Sequence, residues 1–335
     1  GDVPQAFFQE SLGSDLLVAS SGGCFLVSGF ESDGAALVLV TGRGDEIRLR
    51  DLTAQDREQF DVADKAEWDA IVSIKAVRII TEEEANWIRQ QMPDRILTSR
   101  MVRRWKPLPG VGQVKAKSRW CVRGHQDPDV GALKTFAPTP QTESIMLFLQ
   151  TALNAGMKID FADVKSAFCK SEKMARPNGP IYAQPCEGLR LATAWLIELL
   201  VPVYGLDDAP CCWRTTVLKH FVKDLKFVRT LMEPCWLLLR QEGKLIAMVL
   251  IEVDDFIIAT MPSYRADLKD NLNVKLKFGK WEEGSADYAG RAVHVHEDRV
   301  EIFQDKYILE QIHAVPLARG RRAAKKEALT QAEFV

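Results

Sequence analysis

Short apolar runs and polar clusters alternate along the chain, and their spacing predicts a mixed α+β protein. Near the N-terminus, residues 24–30 and 35–40 are apolar runs on either side of a polar turn, which predicts a hairpin. Residues 53–91 predict helices. Further helices are predicted over residues 141–156 and 211–228, and further strands over residues 157–164, 245–251, 256–259, 293–296 and 300–303.

The helical prediction for residues 53–91 depends on one apolar stripe and one capping signal. The stripe has roughly helical spacing and consists of Ala63, Trp68, Ile71, Val72 and Val77. Thr81 followed by Glu84 fits a capping box, in which the two side chains satisfy free N–H groups at a helix start. The alternative, which we prefer, is that the glutamates of residues 82–84 form a solvated first turn that favours the helix dipole. We therefore expect a second helix to begin after Thr81.

Length and composition narrow the class of protein. The chain has 335 residues, of which 47% are hydrophobic and 27% charged. These values exclude a wholly disordered or collagen-like chain, and the length predicts about two domains. The longest apolar run, residues 245–251, is closed by Glu252 and is too short for a bilayer, which needs about 20 residues. We therefore expect no membrane partner.

The N-terminal residues and the cysteines indicate the cellular compartment. Gly1 stands where a methionine is usual, and the first residues lack the basic start and apolar core of a signal peptide. We expect a processed product or a fragment that is not secreted. The seven cysteines are odd in number and form no Cys-x-x-Cys pair. This pattern predicts reduced thiols, no zinc site, and a cytoplasmic or nuclear location.

Positive charge is concentrated in one segment, although the net charge is only −2. Residues 100–126 contain eight lysines and arginines and no acid. Among them Lys117, Arg119 and Arg123 are spaced by even numbers of residues, which places them on one face of a strand. Two interpretations stay open: the face binds an anion such as phosphate, or it is the solvated edge of a sheet.

Three acids stand at the ends of apolar strands. Asp254 and Asp255 lie between two apolar runs, and Asp163 closes a third. Carboxylates in such a setting are costly unless a cation compensates them, and carboxylate oxygens suit Mg²⁺. One interpretation is a two-metal site for nucleotidyl transfer, and the other is an acidic surface turn.

Six short motifs occur in the order typical of one family. The chain resembles the reverse transcriptase domain of copia-type retrotransposon Pol polyproteins over roughly residues 62–312. Each motif alone is weak, but the six in order are specific. They are residues 117–124, 135–138, 163–168, 204–210, 253–255 and 304–308.

The resemblance implies a fold and a domain organisation. It implies an α+β right-hand polymerase with palm and fingers, an antiparallel palm sheet, and a thumb that is truncated or absent. The expected segments are a β-rich N-terminal part of unknown role, a helical lead-in, the fingers and palm, and a basic tail or start of a thumb. Their bounds are 1–52, 53–99, 100–312 and 313–335.

The resemblance also implies site residues. Asp163, Asp254 and Asp255, with the backbone carbonyl of Val164, would hold two Mg²⁺ ions, which Mn²⁺ can replace. The incoming triphosphate would contact the side chains of Lys117, Arg119 and Arg123 and the N–H groups of Ser166 and Ala167. Phe168 would lie under the nucleotide sugar, and Gly205 would allow close approach to the template–nucleotide pair. The implied partners are an RNA or DNA template with its primer, dNTPs, and the rest of a Pol polyprotein if the chain is a fragment.

Some residues depart from the family pattern. Glu252 replaces the aromatic residue that opens the Tyr-Val-Asp-Asp motif, and Asp207 and Asp208 replace a Lys-Gln pair. We expect these changes to repel nucleic acid or to remove a cation beside it. After Ile312 the pattern fades. The sequence therefore leaves two functions open: an RNA-directed DNA polymerase, or an impaired remnant that binds nucleic acid without polymerising.

Overall fold

The computed structural model describes residues 46–108, 114–305 and 308, together with the backbone of four short strands outside these ranges. The chain divides into two compact units. The first comprises residues 1–44, 290–293 and 302–335, and the second comprises residues 45–289 and 294–301. The domain bounds at residues 52 and 99 stay predictions, and both fall inside the second unit.

The described helices and strands are numbered along the chain. The helices are α1 Ala54–Ser73, α2 Glu82–Gln91, α3 Thr142–Asn154, α4 Ala209–Lys219 and α5 Arg265–Leu276. The strands up to the middle of the chain are β1 Leu16–Val18, β2 Phe25–Val27, β3 Ala36–Leu39, β4 Val77–Ile80, β5 Ile96–Leu97, β6 Ser99–Pro107, β7 Val114–Val122, β8 Lys158–Asp163, β9 Tyr182–Ala183 and β10 Leu196–Leu199. The later strands are β11 Val228–Arg229, β12 Trp236–Gln241, β13 Lys244–Glu252, β14 Asp255–Thr260, β15 Lys280–Glu283, β16 Ser285–Tyr288, β17 Arg291–Val295, β18 Val300–Phe303 and β19 Ile312–Val315.

The first unit contains an antiparallel sheet in the order β1-β2-β3-β19. Strands β2 and β3 confirm the central parts of the two predicted N-terminal strands, while the turn between them lies outside the described residues. Strand β19 begins just before the segment for which the resemblance implies a basic tail or the start of a thumb, and that assignment stays a prediction. Residues 316–335 lie outside the described part of the chain.

The second unit is built around a six-stranded antiparallel sheet in the order β11-β12-β13-β14-β8-β15. Helices α4 and α5 contribute Trp213 and Leu272 to an apolar core with Phe256 on one face of this sheet. On the other face Phe148 of α3 packs against Trp236, with ring centroids 5.4 Å apart. Burial on both faces explains why these strands are continuous apolar runs. The α+β class is therefore confirmed.

A second sheet and a pair of antiparallel strands also belong to this unit. The sheet has the order β4-β10-β9-β5, and β6 pairs with β7 along their whole length. Helix α1 packs against β7, where Trp68 meets Trp120 with ring centroids 5.4 Å apart. Both indoles belong to a buried core with residues of β10. This core supports the strand that carries the basic face.

Two predictions for residues 53–91 need correction. Val77 lies in β4 rather than in a helix, because Lys75 takes a left-handed φ of +57° after α1 ends, and the β-branched residues that follow favour a strand. Thr81 does precede a helix, but its side chain makes no capping bond among the described contacts. Glu84 instead accepts from Arg78 at 2.8 Å, so the capping box does not form.

Other elements agree with the sequence in type and differ at their ends. The helix predicted over residues 211–228 starts earlier, continues after Lys219 as a π-helical turn over His220–Asp224, and gives way to β11. In the described part of the chain, six cysteines are free thiols. None of the described helices combines the length and apolar character needed to cross a bilayer.

Candidate active site

The register of strands β13, β14 and β8 places Asp255 between Glu252 and Asp163. Glu252 at the end of β13 is opposite Asp255 at the start of β14, and Asp255 is also opposite Asp163 at the end of β8. Facing residues in antiparallel strands have Cα atoms about 4.5–5.5 Å apart. The register thus places Asp255 beside Asp163, with Asp254 in the turn just before it, and the joint role of the three acids stays a prediction.

The turn between β13 and β14 has an unusual backbone. Val253 has φ +55°, in the left-handed region. This conformation costs an L-residue about 1–2 kcal/mol, and a β-branched residue adopts it rarely. Two hydrogen bonds hold the turn. The Trp213 indole Nε1 donates to the Val253 carbonyl at 2.7 Å, and the Val164 N–H donates to the Asp254 carbonyl at 3.0 Å.

Burial and like charge act together on the two turn carboxyls. Burial raises the pKa of Asp254, and the neighbouring charge of Asp163 raises it further, while Arg119 and Lys117 oppose the shift. For Asp255, burial followed by the charges of Asp254, Asp163 and Glu252 raises the pKa to about 7. Acids that are this reluctant to ionise alone are strongly favoured to bind a compensating cation.

The donor set fits a divalent metal ion. Carboxylate and carbonyl oxygens are the hard ligands that Mg²⁺ prefers, and the half-buried acids lack enough nearby positive charge to offset their repulsion. Within the described residues, no group of three His, Cys, Asp or Glu side chains is already gathered at metal-binding distances. Mg²⁺ commonly takes its remaining ligands from water and substrate phosphates. The predicted ligands Asp163, Val164, Asp254 and Asp255 are oxygen donors of the kind that Mg²⁺ takes, and their role in holding two ions stays a prediction.

The basic face lies on β7, beside the acids. Burial alternates along this strand, so that Lys117 and Arg119 project from the side opposite the buried Trp120. Burial lowers the pKa of Lys117, with Arg119 and Lys106 adding to the effect and Asp163 opposing it. Arg123 follows the end of β7 and is exposed. The predicted common face therefore holds for Lys117 and Arg119, while Arg123 lies past the strand.

Tyr204 stacks with two site residues, a contact that the sequence does not predict. The Arg119 guanidinium lies 4.1 Å from the centroid of the Tyr204 ring, and the Phe168 ring lies 5.0 Å from it on a tilted plane. The three side chains link the basic strand to the chain that follows Asp163. Arg119 and Tyr204 are far apart in the sequence, so no short motif predicts their contact and it is seen only in the folded chain.

The segment after Asp163 turns sharply. Ser166 has φ +53°, and a short 3-10 turn, Phe168–Lys170, follows. Among the described hydrogen bonds, the N–H groups of Ser166 and Ala167 donate to no protein acceptor. Phe168 is half-buried and packs against both apolar cores of the second unit. The structure thus makes Phe168 a packing residue of both cores, and its contact with the nucleotide sugar stays a prediction.

The chain matches the family described as reverse transcriptase (RNA-dependent DNA polymerase) over residues 85–324. The chain belongs to this reverse transcriptase family. A curated relative, the retrovirus-related Pol polyprotein from transposon TNT 1-94 of Nicotiana tabacum, is 25% identical over 170 residues. That match covers 48% of this chain and 12% of the polyprotein. The copia-type resemblance is therefore confirmed, and this reverse transcriptase chain spans about one eighth of that relative's length.

Two solved telomerase structures are also similar in part. Apo telomerase from Candida tropicalis, truncated from its C-terminal domain, is 11% identical with a TM-score of 0.37, covering 65% of this chain and 59% of that chain. Telomerase from Candida albicans in complex with a TWJ fragment of telomeric RNA is 9% identical with a TM-score of 0.38, covering 72% and 51%.

Gly205 of the reverse transcriptase chain has a structural requirement of its own. Its φ is +97°, and a Cβ at this position would collide with the carbonyl oxygen of Val122. The Gly124 N–H donates to the Gly205 carbonyl at 3.0 Å, and the Val122 N–H donates to the Tyr204 carbonyl at 2.9 Å. The close approach that glycine allows is therefore to β7, and contact with a template–nucleotide pair stays a prediction.

Asp208 does not weaken the nucleic-acid surface in the predicted way. Its side chain is buried and accepts two hydrogen bonds from Arg176, one of them at 2.9 Å. Arg176 also pairs with Asp127 at 3.0 Å. Because this buried arginine neutralises Asp208, the substitution changes an internal network. Asp207 remains exposed, so the predicted loss of a surface cation applies to that position alone.

Proposed function

We propose that this chain is an RNA-directed DNA polymerase domain of a copia-type retrotransposon, which transfers dNTPs onto a primer. One observation carries the proposal: Asp255 faces Asp163 across β14 and β8, with the turn carbonyl of Asp254 hydrogen-bonded to the next residue after Asp163. Family membership gives this carboxylate arrangement a reaction, because nucleotidyl transfer on two divalent ions needs acids from separate strands at one point.

Asp163, Asp254 and Asp255 would hold two Mg²⁺ ions with help from the Val164 carbonyl. When bound, these ions activate the attacking hydroxyl and stabilise the leaving pyrophosphate. The protein's own contribution is to hold three oxygen donors at fixed strand ends. The raised pKa of Asp255 favours cation binding, since ionisation without a cation is costly there.

The nucleotide would lie between the acids and the basic face of β7. Lys117 and Arg119 would contact its triphosphate, with Arg119 oriented by Tyr204. Arg123 would reach the same charge from the end of the strand. The N–H groups of Ser166 and Ala167 would donate to phosphate oxygens, and the Phe168 ring would lie under the sugar. Gly205 would keep the template–nucleotide pair close to the chain.

In this proposal the six-stranded antiparallel sheet is the palm, and the β6–β7 hairpin belongs to the fingers. The partners are a primed RNA or DNA template, dNTPs and, if the chain is a fragment, the rest of a Pol polyprotein. These assignments rest on family membership and on the position of the acids at the end of the sheet.

An impaired remnant that binds nucleic acid without polymerising is the second candidate. Glu252 favours it, because its charge adds to those of the three site acids and acts on the Asp255 carboxyl. A negative group beside the primer end would repel primer phosphate. Such a chain would keep the fold and lose the reaction.

Primer extension on an RNA template separates the two candidates. The wild-type chain is incubated with labelled primer–template and dNTPs in Mg²⁺ or Mn²⁺, and binding is measured in parallel. Extension supports the polymerase. Binding without extension in either metal supports the remnant, and neither binding nor extension contradicts both.

A further inference from the structure

The turn that carries Asp254 and Asp255 is held in a backbone conformation that its own sequence disfavours. Val253 is β-branched and sits at φ +55°, where glycine is the usual residue. Its neighbours do not relieve this strain, since Glu252 and Asp255 are already fixed opposite each other at the ends of β13 and β14. An isolated hairpin of this sequence would favour another turn.

Both carbonyls of the turn are bonded from outside the hairpin. The Trp213 indole donates to Val253 at 2.7 Å, and the Val164 backbone donates to Asp254 at 3.0 Å. The second bond comes from the residue just after β8, and it is a backbone bond that any residue except proline can make there. The first is a side-chain bond, and it acts on the strained residue itself.

Trp213 is well placed to impose a conformation. Its side chain lies on α4, is 1% exposed and packs in the core beneath the sheet. The next residue, Arg214, donates to the Pro234 carbonyl at 2.6 Å, which ties α4 to the chain entering β12. The indole N–H therefore comes from a rigid element.

We propose that Trp213 is a positioning residue, whose indole N–H holds Val253 in the left-handed conformation that orients Asp254 and Asp255. The proposal rests on the proposed function only for its catalytic consequence. The bond itself touches no substrate. Removing it should let the turn relax, which would misplace the two carboxylates while leaving the basic face of β7 intact.

The decisive variants are Trp213→Phe and its combination with Val253→Gly. Phenylalanine keeps a ring in the core and removes the N–H. We expect kcat for single-nucleotide incorporation to fall by about tenfold, with a much smaller change in KM for the dNTP. Glycine adopts positive φ without strain, so in the Val253→Gly background the same Trp213→Phe change should cost about threefold or less.

Val253→Ala is the matched control, because it removes most of the same packing and keeps a Cβ at positive φ. If Trp213→Phe costs as much in the Val253→Gly background as in the Val253→Ala background, relief of strain is not the reason and the proposal is overturned. A kcat for Trp213→Phe within about twofold of wild type would also overturn it.

Hydrogen exchange tests the Trp213–Val253 hydrogen bond even if the chain does not polymerise. In the metal-free protein, amide exchange across residues 252–256 should accelerate by about tenfold in Trp213→Phe. Val217→Ala, which opens the same buried core and keeps the indole, should leave exchange at the turn near the wild-type rate. Equal acceleration in both variants would reduce Trp213 to a packing residue and overturn the proposal.

Discussion

Asp255 is the site residue whose carboxyl is surrounded by other negative charges. It is half-buried, it faces Asp163, and it lies directly opposite Glu252 across a two-residue turn. Desolvation and three negative neighbours raise its pKa to about 7. In an ordinary exposed position the pKa would lie near 3.9. The side chain is therefore protonated over a pH range in which the unfolded chain has already released that proton.

This difference predicts the pH dependence of metal-free stability. Between about pH 4 and pH 7 the folded chain binds the proton that the unfolded chain releases, so the free energy of unfolding falls as pH rises. Asp255→Asn should flatten this fall, and the exposed Asp270→Asn should not. Urea unfolding in a chelator at several pH values measures both. If the free energy of unfolding has the same pH dependence in wild type and Asp255→Asn, the raised pKa of Asp255 is contradicted.

Glu252 supplies a second test at this scale. Glu252→Tyr and Glu252→Gln both remove a charge from the cluster, so we expect tighter primer–template binding by up to about 1 kcal/mol at low salt, and less as salt rises. Both variants should also lower the pKa of Asp255, because Glu252 is one of its negative neighbours. Unchanged affinity at low salt would place Glu252 away from the nucleic acid.

At the scale of elements, strand β7 carries Lys117 and Arg119 on one face, and Arg119 stacks on the Tyr204 ring. If the Tyr204 ring orients Arg119 toward triphosphate, Arg119→Ala should raise KM for the dNTP by about tenfold, with a smaller loss of duplex affinity. Arg119→Lys should rescue little, since lysine lacks the planar group that stacks. Steady-state kinetics and duplex titrations measure the two quantities.

Arg123→Ala is the comparison variant, because Arg123 lies beyond the end of the same strand. If Arg119→Ala and Arg123→Ala both lose duplex affinity for every sequence, and the affinity then depends less steeply on salt concentration, these cations contact the nucleic-acid backbone. If neither KM nor duplex affinity changes in Arg119→Ala, the face is a solvated edge.

The short turn after β8 makes sugar selection testable. Phe168 contacts the Tyr204 ring and both cores, so its ring has a fixed position five residues along the chain from Asp163. If it fills the space of a 2′-hydroxyl, Phe168→Val should raise ribonucleotide relative to deoxyribonucleotide incorporation by at least about tenfold, or ~1.4 kcal/mol. An active, folded variant with lower stability and an unchanged ratio would make Phe168 a core residue only.

The sequence predicts elements where local pattern decides them. The apolar runs of β13, β14 and β8 are found within a residue or two, and the acids at their ends follow from the same pattern. What depends on distant contacts was not predictable. Asp160 and Asp163 look alike in sequence, yet Asp160 lies on the opposite face and pairs with Arg265 at 2.6 Å. The burial of Asp208 by Arg176 and the bond from Trp213 to Val253 are of the same kind.

At the scale of the whole molecule, the family match and the candidate site fall in the same part of the chain. Residues 85–324 match the reverse transcriptase family, and every predicted site residue lies between Lys117 and Asp255. All of them belong to the second compact unit. This unit is therefore the part of the molecule in which the proposed reaction must be tested.

The most direct test is single-nucleotide incorporation on a primed RNA template in Mg²⁺, with four chains compared at equal primer–template occupancy. The wild-type chain and the exposed-acid control Asp270→Asn should both form the extended primer. Asp163→Asn and Asp254→Asn should form none while remaining folded and bound to the template. Wild-type product from either site variant would contradict the proposed metal-binding role of the three acids, and absence of product from the wild type would contradict the polymerase itself.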